Sequence, residues 1–235
     1  MVPSVAILKD TATLPTRRTT ADEIFTVLHA DIATLRLLPG DKISEVDVAA
    51  RLDVSRQPVR EAFIRLDGLG LLHVRPQKAT VVRRFSLANI RRARFVRCAI
   101  EVEVVREVCP AGMDAVERPL QQVLERQRRA LDAGRLQRFH ELDHEFHQLL
   151  CRAAGQEDVS DTIAAQRAET DRLCLLSLDE RTERELVYDD HVQIVAHLRD
   201  GATRKAIARL RTHLGRLDSV IREAHASHRH YFTDD

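Results

Sequence analysis

The chain has 235 residues, of which 44% are apolar, 31% are charged and 4% are aromatic. This composition is typical of a helix-rich globular protein with one large domain or two modest ones. No run of about 18 apolar residues is present, so no membrane span is predicted, and the N-terminus lacks a secretion signal. We therefore expect a cytoplasmic protein whose cysteines are reduced, buried thiols: Cys98, Cys109, Cys151 and Cys174.

The net charge of +1 conceals an uneven distribution of basic residues. Residues 1–86 contain 13 Lys and Arg against 10 Asp and Glu, whereas the remainder contains 24 against 26. Within residues 51–84 the counts are 8 basic and 3 acidic. Such a segment favours a polyanionic partner, although many neutral surfaces carry similar patches.

The N-terminal part of the chain begins with an arm and a helix. Residues 1–19 are rich in Thr, Pro and small side chains, and we expect them to form a flexible arm. Helical spacing of apolar residues starts at Thr20, with Thr19 or Thr20 as N-cap. It ends at the turn Leu38-Pro39-Gly40-Asp41, after which Ser44 starts a second helix.

A third helix and a hairpin complete this predicted domain. Ser55 is placed to cap the third helix, which extends to about Leu69. Strand-like runs follow at 71–75 and 80–84. Helix, helix, turn, helix and hairpin in this order predict a winged helix-turn-helix over residues 20–84.

From Leu87 onward the sequence shows only helical periodicity. The pattern predicts an all-α antiparallel bundle over residues 87–226, so the whole chain is predicted to be mainly α. Residues 227–235 are expected to fray. The bundle helices are predicted near 87–109, 113–132, 135–153, 156–178, 182–200 and 203–226.

The first turn of the third helix carries side chains suited to DNA recognition. Arg56 and Arg60 are four residues apart and share one face, opposite an apolar stripe. Arginine can bind guanine bidentately, and a nearby glutamine can contact a base or a phosphate. An isolated pair of this kind is more often two solvated surface charges. The candidate DNA-binding residues are Ser55, Arg56, Gln57 and Arg60 on the helix and Lys78 at the hairpin tip.

An ordered series of short sequence motifs surrounds these residues. They are LPGDKISE at 38–45, VA at 48–49, VSRQPVREA at 54–62, RL at 65–66 and GL at 70–71. Together they resemble the GntR family of regulators, in which the arginines matching Arg56 and Arg60 contact DNA, as do the polar position between them and the wing tip. Ala79 departs from the glycine that is usual in the wing turn of that family.

The predicted bundle contains one carboxylate and three imidazoles that could converge. Asp143 and His147 are at i and i+4 on one helix face, and His191 and His213 are on two later helices. Such a set could hold a divalent ion of the Zn, Ni or Mn type. Because the chain has 11 His, spacing alone also allows four unrelated polar residues.

An all-helical domain behind a GntR-type head resembles the FadR subfamily and its ligand-binding domain, called FCD. Many members hold a divalent metal with an Asp-x-x-x-His pair and two later histidines, which implies a metal site at Asp143, His147, His191 and His213. Arg97 and Glu101 match an Arg-x-x-x-Glu motif whose arginine often faces the ligand cavity. Arg97 is therefore a candidate for binding a carboxylate effector, with a structural salt bridge as the alternative. Six predicted helices favour the VanR-like branch.

The resemblance implies a ligand-responsive regulator, usually a repressor, that binds a short inverted-repeat operator as a homodimer. The implied effector is a small organic or sugar acid bound at a metal-containing cavity. Two other functions remain open from the residues. An Asp/His₃ site could activate water in a metalloenzyme, although no general-base motif accompanies it, or the metal itself could be the signal.

Overall fold

The computed structural model describes residues 19–75, 78–108, 110–177 and 181–234. The predicted arm at 1–19 therefore lies outside the described residues, except for Thr19. Within the described part the fold is mainly α, as predicted, with ten helices and one three-stranded sheet. The helices are α1 (Thr20–Ala33), α2 (Glu45–Leu52), α3 (Arg56–Gly68), α4 (Leu87–Glu107), α5 (Pro110–Asp132), α6 (Leu136–Ala153), α7 (Ser160–Ser177), α8 (Arg181–Arg199), α9 (Thr203–Gly215) and α10 (Leu217–Ser227), and the strands are β1 (Lys42–Ile43), β2 (Leu72–His73) and β3 (Thr80–Val82).

The N-terminal elements form a winged helix-turn-helix around one apolar core. The antiparallel sheet has the order β1-β3-β2, with Lys42 opposite Val81 and Leu72 opposite Val82. The hairpin strands are shorter than predicted, and β1 lies where only the end of a turn was expected. Helix α3 packs one apolar face against this core, and its opposite face is exposed to solvent. The apolar face consists of Val59, Ala62, Phe63 and Leu66, which are fully buried.

The predicted N-cap residues start all three helices of this part, and two of them form side-chain capping hydrogen bonds. Thr19 forms a complete capping box with Asp22, and the Ser44 hydroxyl accepts a hydrogen bond from the Val46 amide at 3.1 Å. Ser55 is the N-cap residue of α3, as predicted, but its side chain makes no capping hydrogen bond in the described structure. It is exposed and directly precedes Arg56, the first residue of α3.

Seven helices, α4 to α10, form the C-terminal bundle within the described residues, so the prediction of six was wrong. The last predicted helix is divided after Gly215, a poor helix former. Arg216, between α9 and α10, donates from Nε to Asp190 at 2.6 Å on the neighbouring α8. The helix count consequently no longer supports the VanR-like branch.

The end of the chain, predicted to fray, instead packs on the junction between the two parts. The Phe85 amide donates to the Tyr231 carbonyl at 2.8 Å, and the Thr233 amide donates to the Phe85 carbonyl at 2.8 Å. The rings of Phe85 and Phe232 are 5.4 Å apart, and both side chains are buried. Burial of an aromatic ring explains the order of this segment.

The described cysteines are free thiols inside or beside the bundle. Cys151 is buried, whereas Cys98 and Cys174 are half-buried. Burial raises the pKa of Cys151 to about 11 and that of Cys174 to about 12, so both are protonated and inert at neutral pH. Cys109 lies outside the described residues. No helix in the described ranges is long and apolar enough to cross a membrane.

Candidate DNA-binding surface and metal centre

Two arginines of α3, Arg56 and Arg60, line an open groove. The side chains of Arg56 and Arg60 are 62% and 54% exposed. The groove has a volume of about 620 Å³ and lies between α3, the start of α2 and the wing. Lys78 and Arg75 line its wing side. Gln57 is exposed and donates from Nε2 to the Glu61 carboxylate at 3.2 Å. The predicted wing-tip lysine and helix arginines thus share one surface.

One acidic residue in this groove was not singled out from the sequence. Glu45 accepts hydrogen bonds from Arg60 Nε at 3.2 Å and from Arg60 Nη2 at 3.1 Å. Arg56 Nη2 lies 3.9 Å from the same carboxylate. The hydrogen bond with Glu45 raises the pKa of Arg60 further above its ordinary value, so the guanidinium is permanently charged.

The four predicted metal ligands meet inside the bundle. Helix α6 supplies Asp143 and His147, α8 supplies His191, and α9 supplies His213. One candidate ligand atom from each residue lies within 4.8 Å of the others, and all four residues are buried. The sequence therefore identified a cluster that exists in the fold.

The outer nitrogen of each histidine faces a polar partner, and these partners fix the ring orientation. His147 Nδ1 lies 2.6 Å from Glu101 Oε2, and His191 Nδ1 lies 3.0 Å from Gln127 Oε1. His213 Nδ1 is 3.7 Å from an oxygen of Asp190, which is fully buried. Because the Glu101 and Gln127 oxygens are acceptors within hydrogen-bond distance, they favour a proton on Nδ1 of His147 and His191, which leaves the Nε2 lone pair of each ring directed inward.

The inward-facing lone pairs are suited to a cation. His147 Nε2 and His213 Nε2 are 3.3 Å apart, and His191 Nε2 is 3.2 Å from Asp143 Oδ1. His191 Nε2 is buried and has no hydrogen-bond partner among the described residues. Burial lowers the pKa of each of these three histidines, so the rings are neutral at pH 7. The donor set fits a divalent metal ion.

Asp143 is held as a carboxylate by a buried arginine. Burial raises the pKa of Asp143, but the adjacent charge of Arg167 outweighs this effect and holds that pKa well below its ordinary value. Arg167 Nη2 donates to Asp143 Oδ2, which leaves Oδ1 on the side of His191. The ligand set thus consists of one anion and three neutral imidazoles.

A small cavity adjoins the cluster on one side. It has a volume of about 80 Å³, and Asp143 and His213 contribute to its wall together with Arg97 and Arg167. Arg97 Nε donates to Glu101 Oε1 at 2.8 Å, and both residues are buried. The salt bridge weighed as the alternative for Arg97 is therefore present, while the residue also faces the cavity.

Sequence reasoning missed several residues of this centre. Gln127, Asp190 and Arg167 carry no pattern that marks them, because each belongs to an ordinary amphipathic helix. Arg167 Nη1 is buried without a hydrogen-bond partner in the described part of the chain. Only the packing of α5, α7 and α8 against α6 brings these side chains to the cluster.

Comparison with known families gives two matches. Residues 20–82 match the bacterial regulatory proteins of the gntR family, and residues 93–216 match the FCD domain. The HTH-type transcriptional repressor RspR of Escherichia coli K12 is 36% identical over 216 residues, which cover 91% of this chain and 93% of RspR.

The chain belongs to the GntR family.

It is a GntR-family transcriptional regulator with an FCD domain and not an enzyme, as its matched families and relatives are regulators. A regulator from Streptomyces ambofaciens is 35% identical over 93% of this chain and 92% of its own length. LutR of Bacillus subtilis is 28% identical over 79% of this chain and 93% of its own.

Two solved structures share the fold. A regulator from Rhodococcus sp. RHA1 aligns with a TM-score of 0.72 at 23% identity, covering 86% of this chain and 97% of that chain. Escherichia coli McbR aligns with a TM-score of 0.69 at 16% identity, covering 88% and 99%. At these identities the likeness supports the architecture alone.

Proposed function

We propose that this GntR-family regulator is a repressor that binds a short inverted-repeat operator as a homodimer and senses a small carboxylate at a metal-containing cavity. The convergence of four buried ligand atoms beside a cavity carries the sensing half of this proposal. The exposed arginine pair on α3 supports the DNA-binding half. The word repressor is supported by the name of RspR, which aligns over nearly the whole chain.

DNA reading is assigned to Ser55, Arg56, Gln57 and Arg60, with Lys78 contacting the backbone from the wing. A duplex selected from a randomised library with the wild-type protein is the probe. Replacing Arg56 or Arg60 by Ala should weaken binding to that duplex at least about tenfold, because one good bidentate arginine–guanine contact provides about 1–3 kcal/mol of discrimination. Unchanged sequence-specific binding by both folded variants would contradict the assignment.

The Lys78→Ala change should have a different signature. A contact to phosphate carries no sequence information, so binding to selected and scrambled duplexes should weaken equally. The slope of log affinity against log salt should fall by about 1. Fluorescence anisotropy at several salt concentrations measures both quantities.

The metal is assigned to Asp143, His147, His191 and His213, and this mixed oxygen and nitrogen set suits Zn, Ni or Mn. A bound ion would act as a Lewis acid that attracts an effector carboxylate. Elemental analysis after purification and after separate incubation with each ion tests the site. One equivalent per chain in the wild type and less than a tenth of that in His191→Ala is the expected result. A metal content unaffected by His191→Ala would argue against it.

The effector is assigned to the adjoining cavity, where Arg97 and Arg167 supply positive charge. A volume of about 80 Å³ holds several water molecules at roughly 10–15 Å³ each, enough for a small acid. An effector that prefers one arrangement of the two DNA-binding parts would shift the population toward it.

Three titrations of operator affinity separate the sensing alternatives. Metal alone, a panel of small organic and sugar acids with metal, and the same acids with chelator should be compared. We expect only an acid together with the metal to release DNA. A response to metal alone favours a direct metal sensor, and no response in any arm contradicts both sensing models. Sedimentation of the protein with and without operator tests the homodimer.

A further inference from the structure

A carboxylate lies inside the basic groove assigned to DNA, where it would repel phosphates. Glu45 is the first residue of α2, and its side chain is only 21% exposed. Its two oxygens contact one edge of one guanidinium, with Arg60 Nε 3.2 Å from Oε1 and Nη2 3.1 Å from Oε2. A regulator that only needed positive charge here would be better served without this acid.

The stability of the fold does not explain the acid. Ion pairs with an exposed arginine contribute little to the free energy of unfolding, and Arg60 is 54% exposed. An acidic side chain in the first turn of α2 does favour the helix dipole, but Asp47 lies in the same turn and supplies the same effect. Neither effect requires the two hydrogen bonds that Glu45 accepts from Arg60.

The contact with Glu45 leaves some N–H donors of Arg60 available for DNA. A guanidinium has five N–H donors in a planar fork. Glu45 occupies the edge formed by Nε and Nη2, so the edge formed by Nη1 and Nη2 stays available. That edge can donate two parallel hydrogen bonds to guanine O6 and N7. A long side chain held in this orientation before binding loses less conformational freedom on contact with DNA.

We propose that Glu45 is a positioning residue that orients Arg60, and to a lesser extent Arg56, for sequence-specific contact with guanine. This inference rests on the proposed DNA-reading role of Arg60. The same carboxylate repels phosphates on every sequence, and on the correct sequence the oriented contact outweighs this repulsion. Glu45 therefore lowers non-specific affinity and raises the ratio of specific to non-specific binding.

The test uses the full chain with Glu45→Gln and Glu45→Ala, and Asp47→Asn as a matched control. The control also removes one negative charge from the first turn of α2, and the exposed Asp47 has no assigned contact with the arginines. Affinities are measured for the duplex selected by the wild type and for a scrambled duplex of equal length, over a range of salt. A second library selection with Glu45→Gln reports the preferred base at each position.

In both Glu45 variants the ratio of specific to non-specific affinity should fall at least about tenfold, the size of one bidentate base contact. Affinity for the scrambled duplex should be equal to that of the wild type or a few times tighter. The second selection should lose preference at one guanine per half-site, and Asp47→Asn should keep the wild-type ratio.

Two results would overturn the inference. One is a wild-type ratio of specific to non-specific affinity in Glu45→Gln, with both affinities unchanged or changed equally as in Asp47→Asn, and the other is a second selection that keeps the wild-type preference at every guanine. The Arg60→Ala variant separates this failure from a failure of the proposed function. If Arg60→Ala loses specificity while Glu45→Gln keeps it, only the positioning role is wrong, whereas full specificity in Arg60→Ala removes the DNA-reading assignment itself.

Discussion

Single side chains outside the proposed ligand set determine the geometry of the candidate metal centre. Glu101, Gln127 and Asp190 each face the outer nitrogen of one histidine. A proton on Nδ1 facing such an oxygen would leave Nε2 directed inward, where a cation could bind. Arg167 keeps Asp143 ionised from the opposite side. The affinity of the proposed site for a metal should therefore depend on residues that are not themselves ligands.

Gln127 offers the clearest test of this dependence. It is fully buried, and Gln127→Ala should lower metal affinity about 10–100-fold, the usual effect of losing an outer-shell partner. Competition with a fluorescent chelator measures the affinity. Gln122→Ala, exposed on the same helix, should bind metal like the wild type. Equal affinities in both variants would show that Gln127 does not orient His191.

The buried histidines also predict a pH dependence of stability. Burial lowers the pKa of His147, His191 and His213 below the ordinary value of 6.5. Between the lowered pKa and 6.5 the unfolded chain binds more protons than the folded one, so stability rises with pH in that window and is lost on acidification. Lowered carboxylate pKa values, such as that of Asp190 at about 2, act only below about pH 4.

Chelator-treated protein should therefore melt at a lower temperature at pH 5.5 than at pH 7.5. A loss of each 1 kcal/mol corresponds to roughly 2–4 °C at this chain length. Differential scanning calorimetry measures the change, and His73→Asn, at an exposed position, should leave it unaltered. A melting temperature constant over this range would mean that the buried rings do not oppose protonation.

Among the elements, helices α5 and α6 approach each other closely at Gly112, where the backbone of Ala153 leaves no room for a side chain. A Cβ atom added at Gly112 on α5 would lie 1.9 Å from the Ala153 carbonyl oxygen at the end of α6. That atom belongs to the backbone, so one helix must shift to admit a methyl group. Since α6 carries Asp143 and His147, a shift of this helix would also disturb the candidate metal centre.

Gly112→Ala should reduce the free energy of unfolding by about 1–3 kcal/mol, the usual cost of overpacking. Gly215→Ala is the matched control, because a Cβ there would meet no described atom within 4 Å. The control should be neutral or more stable by up to about 1 kcal/mol, since alanine favours a helix over glycine. Urea unfolding measures both, and similar midpoints for the two variants would contradict the tight contact.

In the molecule as a whole, one apolar cluster connects the cavity beside Asp143 and His213 to the junction between the winged helix-turn-helix and the bundle. Leu217 and Val220 line the cavity and pack in the same cluster as Phe85 and Phe232. Arg172 on α7 lies over the Phe85 ring at 5.0 Å. The final residues thus pack where wing and bundle meet.

Phe232→Ala should release this final segment. Loss of the buried ring removes the reason for its order, and hydrogen exchange at the Phe85 amide should quicken because its acceptor is the Tyr231 carbonyl. Hydrogen-exchange mass spectrometry of peptides over 83–90 measures this. His230→Ala, at an exposed position, should exchange like the wild type. Unchanged protection in Phe232→Ala would show that the tail does not hold the junction.

Much of this protein was determined by sequence alone, because local rules govern it. Helical periodicity located the helices to within a few residues, and the sequence motifs around Arg56 and Arg60 identified the family. Asp143, His147, His191 and His213 were found as a set through a family motif. At Gly215 the apolar periodicity favours one continuous helix whereas glycine disfavours a helix, and the sequence did not show that two helices form there.

Only the tertiary structure decided which side chains surround those residues. Strand β1 forms because β3 lies beside it, not because two residues prefer a strand. Glu45 meets Arg60 across 15 positions, Gln127 meets His191 across 64, and Thr233 meets Phe85 across 148. Such contacts arise from packing between distant segments, which no local pattern encodes.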